Sequence, residues 1–409
     1  MTPRLLSLML AIVLSAGCAA GRYAQGPHEE VPYPPKEKPK AEEIRHVPTG
    51  LEVSIEGAME MLSGARLICV GETHDNIHAH RVELTVIREL HNRFPGRVAV
   101  GMEMFREPQQ EALDRWTGGE LSELEFLKES KWYDNWGSDF GYYREILRFA
   151  RENRIDVVAL NPSRELQEAV SRSGLDNVSE ELRAKLPEMG PPDLWQRAAM
   201  RGIFGGHLPT EGMFDSFFRV QVLWEETMAS RIVDYLKNPR GEGKKMVILA
   251  GGWHVRHGFG IPKKVIRRMP MPYAILLPQE IEVPEEKRDQ MMEVELPRSP
   301  LLPADFFWYV PYEDLEGKRM RLGVRIDSHE GRVVVQRVEE GSPAEKAGIP
   351  EGCEIVSFDG NPVTDTTDLF YWIAEKREGD VAIVVYRLDG VERQAEVTFF
   401  RMPKRKAHR

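Results

Sequence analysis

The chain has 409 residues, 42% of them hydrophobic and 29% charged, with a formal net charge of −10. At about 100–200 residues per domain this is material for two or three folded domains, and it excludes wholesale disorder, collagen-like repeats and a bundle of membrane spans. The acid excess leaves no broad basic surface for a phosphate backbone, so no nucleic-acid partner is expected. Three cysteines are too few for a disulfide framework.

In chain order, the first segment is an address. Arg4, an apolar run from Leu5 to Leu14 and the small residues Ser15, Ala16 and Gly17 form a secretory signal over residues 1–18, too short to span a bilayer. Small residues directly before Cys18 resemble the lipobox of bacterial lipoproteins, with Ser15 standing where leucine is usual. The resemblance implies that Cys18 is diacylated and anchors the chain to a membrane. Ala19 after it, rather than aspartate, implies an outer-membrane location facing the periplasm. Residues 19–50, rich in Pro, Lys and Glu, read as an extended tether. Cys69 and Cys353 lie in apolar runs and read as buried free thiols.

From residue 51 to 311 short β-branched runs alternate with longer helical stretches, which predicts an α/β domain with a largely parallel sheet flanked by helices. The strand at Leu67–Val70 ends in Glu72 and His74, with Asp75 or Asn76 to cap the next helix. Strands at Val98–Met102, Asp156–Leu160 and Met246–Ala250 end in Glu103, in Asn161 and Arg164, and in His254. Ligands of open parallel sheets sit at such strand ends, so these side chains predict one shared site. Phe217, Val220, Trp224, Met228, Ile232 and Tyr235 recur at helical spacing and predict a core-facing helix ending before Pro239. The aromatic stretch Trp132–Tyr143, broken by Gly and Asp, reads as a loop that walls an apolar pocket or packs as a lid.

These segments carry a resemblance. Gly-Glu-Thr-His at 71–74, Gly-Met-Glu-Met-Phe at 101–105, the Trp-rich loop, Ala-Leu-Asn-Pro-Ser-Arg-Glu-Leu at 159–166, the stretch 221–229 and Ala-Gly-Gly-Trp-His at 250–254 together resemble the ChaN-like family of bacterial lipoproteins, within the Tiki superfamily. The resemblance implies haem binding and iron uptake, with haem held between paired subunits through a tyrosine, hence a homodimer. Ser138 stands where that tyrosine is expected, which leaves Tyr143 or Tyr142 for the role, with Arg164 for the propionates and His254 as a further haem contact. Superfamily relatives include metal-dependent peptidases and esterases, whose positions map onto His74, Glu103 and His254, with Glu72 beside them. Two imidazoles and two carboxylates suit zinc, manganese or iron, a metal set of His74, Glu103 and His254 with Glu72 as the spare catalytic base. Haem and a divalent metal therefore stay open together.

Residues 278–321 turn Pro- and Glu-rich around the aromatic run Ala304–Val310, which reads as a last edge strand of the main domain. Short strands then follow over 319–401, with Gly-Ser-Pro-Ala at 341–344, an amphipathic helix near Asp368–Lys376 and a hairpin at Asp389-Gly390. This resembles a small β-rich PDZ domain of the bacterial protease-associated type. The resemblance makes Leu322, Gly323 and Val324 the carboxylate-binding loop for an extended peptide or a protein C-terminus, bound by β-augmentation. Residues 402–409 are a basic tail. The expectation is an envelope lipoprotein that binds haem or a metal and recognises peptide; the alternatives are a metal-dependent peptidase or esterase, and a scaffold acting only through its PDZ domain.

Overall fold

Runs of Val, Ile, Leu and Ala bounded by glycine or charge become the strands. The structure, a computed structural model, describes residues 38–204, 210–285, 299–315 and 319–402. Cys18 with the signal segment, the first part of the tether and residues 403–409 lie outside the described residues. The described chain divides into two units: one holds residues up to 120 and 134–313, the other 121–133 and 314 onward.

The first unit carries β1 (Ile44–His46), β2 (Leu51–Val53), β3 (Leu67–Glu72), β4 (Val98–Arg106), β5 (Asp156–Asn161), β6 (Lys245–Gly251), β7 (Tyr273–Glu282) and β8 (Phe306–Pro311). They form one sheet in the order β2-β1-β8-β7-β3-β6-β4-β5. From β8 to β5 every pairing is parallel. Two sequence expectations change here. The Ala304–Val310 run is not an edge, because β1 pairs antiparallel with β8 and β2 with β1. The tether expected to reach Gly50 also ends sooner, since β1 lies inside it; Ile44 is an apolar residue that burial against the β8 aromatics makes useful, and it is 2% exposed.

All six residues of β3 are buried, as expected for a strand covered on both faces. On one face Leu67, Cys69, Met246 and Ile248 pack against Met228, Ile232 and Val233 of the helix Glu211–Lys237. That helix realises the predicted apolar stripe and ends at Asn238, before Pro239. The helix Ile77–Arg93 follows β3, capped by Asn76, whose side chain accepts from the His78 amide at 3.0 Å. Cys69 and Cys353 are buried free thiols. Among the described residues no helix is long and apolar enough to cross a membrane.

In the second unit β9 (Val324–His329), β10 (Arg332–Val338), β11 (Glu354–Phe358), β12 (Asn361–Pro362), β13 (Val381–Leu388) and β14 (Val391–Thr398) form an antiparallel sheet in the order β14-β13-β11-β10-β9, with β12 on β11. Val333, Val335, Ile355, Phe358, Val384 and Phe399 fill its core. The segment 121–133 belongs with this unit rather than with the α/β domain that surrounds it in sequence. Its Lys128 Nζ lies 2.5 Å from Asp368 Oδ1 and 3.1 Å from Asp365 Oδ2, at the N-terminus of the helix Thr366–Ala374.

Candidate functional site

The register of the parallel sheet decides which side chains meet. Glu72 pairs with Gly251, and Met102 with Leu249, so β3, β6 and β4 end side by side. Gly71 has no room for a side chain: a Cβ there would stand 2.5 Å from Leu277 Cδ2, 2.7 Å from Val255 Cγ2 and 2.9 Å from Gly252 Cα. Its absence lets the short helix Gly252–Val255 close over β3 and carry His254 back to the strand ends.

Two polar groups result, joined at Gly251. In the first, the buried Glu72 carboxylate accepts from Tyr143, whose hydroxyl donates to Oε1 at 2.7 Å, and is bonded through the same oxygen to His74 Nδ1. Its Oε2 lies 3.1 Å from His80 Nδ1, which is also 2.8 Å from Glu83 Oε2. His80 Nε2 in turn lies 3.1 Å from the His74 carbonyl oxygen. In the second, Glu103 Oε2 accepts from the Gly251 amide at 2.7 Å, and its Oε1 is 3.4 Å from His254 Nε2. His254 Nδ1 sits 2.8 Å from the Gln221 amide and 3.3 Å from Glu225 Oε1, and Glu225 is held by Lys264 Nζ at 2.7 Å. Asn161 donates to the Glu103 carbonyl at 2.6 Å.

Charge pairing sets the proton affinities. Burial alone would drive the His254 imidazole down, but Glu103 and Glu225 outweigh it and raise the ring to about 10. The same competition, won by Glu72 and Glu83, raises His80 to about 10. Against burial, Lys264 and His254 bring Glu225 down to about 2. Glu72 is likewise held well below the carboxylate range by His80 and His74 despite its burial, whereas burial and the Glu72 charge push Glu83 well above it.

The sequence-predicted residues thus converge unevenly. Glu72, His74, Glu103, His254 and Asn161 meet. Arg164 does not join them: it is exposed and donates to the Asp134 carbonyl in the aromatic stretch. His257, three residues past His254, is half-buried and its Nδ1 lies 2.8 Å from the Leu301 carbonyl oxygen, away from the strand ends. Tyr143 is 0% exposed and part of the buried network. His74 and Glu103 border the same glycine and His254 lies beside Glu103, yet among the described residues the donors that come within 4.8 Å of one another are Glu72, His80 and Glu83. Sequence reasoning gave no role to His80, Glu83, Gln221, Glu225 or Lys264. Polar residues on apolar helical stripes, Glu83 beside Ile87 and Leu90, and Gln221 and Glu225 in line with Met228 and Ile232, were the available signal.

An α/β domain with a mixed, mostly parallel sheet and polar strand ends, followed by a separate antiparallel β-rich domain, is the class that this geometry defines. The chain belongs to the family described as haem-binding uptake, Tiki superfamily, ChaN, whose model matches residues 58–265. A PDZ domain model matches residues 320–399. Among solved structures the fold is similar to ChaN of Campylobacter jejuni, a structure titled for cofacial haem binding, at 16% identity and a TM-score of 0.50, covering 68% of this chain and 100% of that one. Smaller matches are to the HtrA-type protease AlgW with a decapeptide (20% identity, TM-score 0.20, 21% of this chain and 30% of that one) and to a serine endoprotease from Yersinia pestis (25%, 0.19, 21% and 30%). This chain therefore spans less than a third of those proteases. No curated protein matches the chain.

The donor set can be tested against a haem. A phenolate ligand at Tyr143 does not fit, because its proton serves the buried Glu72 carboxylate and the ring has no exposed surface. An imidazole ligand at His74 fits better: its side chain is 15% exposed, and its Nδ1 is anchored on Glu72, the kind of contact that fixes tautomer and orientation in ligating histidines. Trp136 stands edge-on to that ring, with centroids 4.9 Å apart. In the PDZ unit Gly323 has φ +78°, and a Cβ there would lie 2.2 Å from Ser342 Cβ, so the predicted Leu322-Gly323-Val324 loop requires its glycine. β9 follows as the outer strand of its sheet, with the helix Thr366–Ala374 packed against it, the arrangement into which an extended peptide adds.

Proposed function

We propose that this protein is a lipid-anchored envelope protein whose α/β domain binds haem through His74 and whose PDZ domain recognises a peptide. The match of the ChaN family over residues 58–265 carries the haem reading, and the part-exposed His74 imidazole on a buried carboxylate supports its placement. The bound haem would supply the iron that is taken up. The chain's own contribution is to hold the His74 ring through Glu72, to border it with Trp136 and to offer Arg164, on the same aromatic stretch, to a propionate. Cys18 would be the lipidated residue, with the outer membrane as location, and a homodimer would pair two haem faces. Hemin added to the purified chain should give a Soret shift that His74→Ala abolishes and Tyr143→Phe leaves in place. A spectrum unchanged by His74→Ala would overturn the ligand assignment, and no shift at all the haem reading.

A second reading, a metal-dependent peptidase or esterase, rests on His74 and Glu103 bordering Gly251, with His254 beside Glu103. Chelator-sensitive cleavage of peptide or ester substrates, lost in Glu103→Gln, would establish it; none across such panels would remove it.

A further inference from the structure

We propose that Glu72, His80 and Glu83 form a binding site for one first-row divalent cation, distinct from the strand-end set of His74, Glu103 and His254. The three residues are 4%, 4% and 0% exposed, and each offers a donor atom within 4.8 Å of the other two. His80 Nδ1 lies 2.8 Å from Glu83 Oε2 and 3.1 Å from Glu72 Oε2. Neighbouring ligands of an octahedral ion at about 2.1 Å stand √2 times that distance apart, about 3.0 Å, so His80 already has a coordination spacing to each carboxylate.

The hydrogen-bond inventory points the same way. His80 Nε2 faces the His74 carbonyl at 3.1 Å, and a carbonyl only accepts, so Nε2 carries the hydrogen. Nδ1 faces two carboxylates, and a proton there can be donated squarely to only one of them at a time, whereas a cation in its place is bound by all three side chains. Glu83 Oε1 lacks a hydrogen-bond partner, and Glu72 Oε2 has no well-directed one, only the 3.1 Å ion-pair contact with His80, although both atoms are buried. Such orphaned oxygens are costly unless something binds them. The surroundings also resemble a ligand's outer support: the His74 carbonyl fixes the His80 tautomer, while Tyr143 and His74 hold Glu72 by its other oxygen. One imidazole and two carboxylates suit Mn²⁺, Fe²⁺ or Zn²⁺ and not a soft monovalent ion. The site goes beyond the haem reading and is tested without haem.

The test is equilibrium dialysis of the chelator-treated, haem-free full chain against MnCl₂, with bound metal counted by elemental analysis and free Mn²⁺ by its electron paramagnetic resonance signal. One equivalent should bind, and Glu83→Gln and His80→Asn should each weaken it by about tenfold or more. Wild-type melting should rise with added Mn²⁺, a readout that needs no variant to fold. Less than one equivalent, an unchanged melting temperature at saturating Mn²⁺, or binding that survives Glu83→Gln but is lost in Glu103→Gln, overturns the proposal.

Discussion

Replacing Tyr143 with phenylalanine separates two accounts of this site. The ring is buried and its hydroxyl donates at 2.7 Å to Glu72, itself buried. Tyr143→Phe keeps the aromatic packing, so the loss is confined to one buried hydrogen bond to a charged acceptor, about 1.5–3 kcal/mol. His74 still binds the same Glu72 oxygen, which places the expected loss near 2 kcal/mol rather than at the upper end. A domain of about 150–250 residues shifts by about 2–4 °C per kcal/mol, so melting should fall by about 4–8 °C. Guanidinium titration followed by tryptophan fluorescence, read on the α/β-domain transition, measures it. A loss below about 0.5 kcal/mol would mean that the phenol does not serve Glu72, since an exposed hydroxyl costs that little. On the haem-loaded protein the Soret band should be unchanged. A phenolate-to-iron charge-transfer band that the substitution removes would refute the assignment to His74.

Gly71→Ala should destabilise the α/β domain by about 1–3 kcal/mol in the same titration, because its Cβ would meet Leu277 and Val255 inside 3 Å in a packed core. Glu225→Gln leaves the buried Lys264 without its carboxylate, and should cost about 3–5 kcal/mol at neutral pH. At the opposite end of the sheet burial acts against Asp156, but Lys244, Tyr235 and Arg240 prevail and lower its pKa. A lowered carboxyl contributes stability above its unfolded value of about 3.9 and loses it as pH falls through the folded value; denaturation from pH 6 to about 2.5 should therefore show a steeper acid loss in wild type than in Asp156→Asn. In the PDZ domain Gly323→Ala should reduce binding of a fluorescent peptide with a free C-terminus by at least about tenfold, while β11 and β13 keep the domain's far-ultraviolet spectrum; equal affinity would refute the loop's role.

How much of this was legible in the sequence follows from what each signal requires. Continuous β-branched runs at Leu67, Val98, Asp156 and Met246 announce buried parallel strands, and strand ends are where polar residues cannot be core, so Glu72, His74, Glu103 and His254 could be chosen without coordinates. β1 and β2 were not legible, because three-residue strands carry no periodicity and gain their order only from β8. Nor was the change of role for Tyr143. A tyrosine at the start of a helix reads the same whether its hydroxyl meets solvent or a carboxylate 71 residues earlier in the chain. His80 and Glu83 sit three apart on a helix whose other buried positions are apolar, a contradiction visible in the sequence but one whose meaning depends on the neighbour that β3 supplies.

That contradiction also explains why so much charge survives beneath the strand ends. Buried titratable groups persist only when each has a partner, and here they form two alternating series: Glu83, His80, Glu72, His74 on one side, and Glu103, His254, Glu225, Lys264 on the other. Each inner member is shared by two neighbours, so removing any one strands another, and no side chain in either series can turn without breaking a pair. The first series ends on His74, whose side chain is 15% exposed, while the side chain of the Glu72 that holds it is fully buried. An imidazole aimed by a dry carboxylate does not have to be ordered when a ligand arrives, which lowers the entropic cost of binding at that one position. The buried network thus holds the part-exposed His74 ring in place, and on the proposed haem reading variants of its hidden members should change ligand affinity at His74 without touching the ligand.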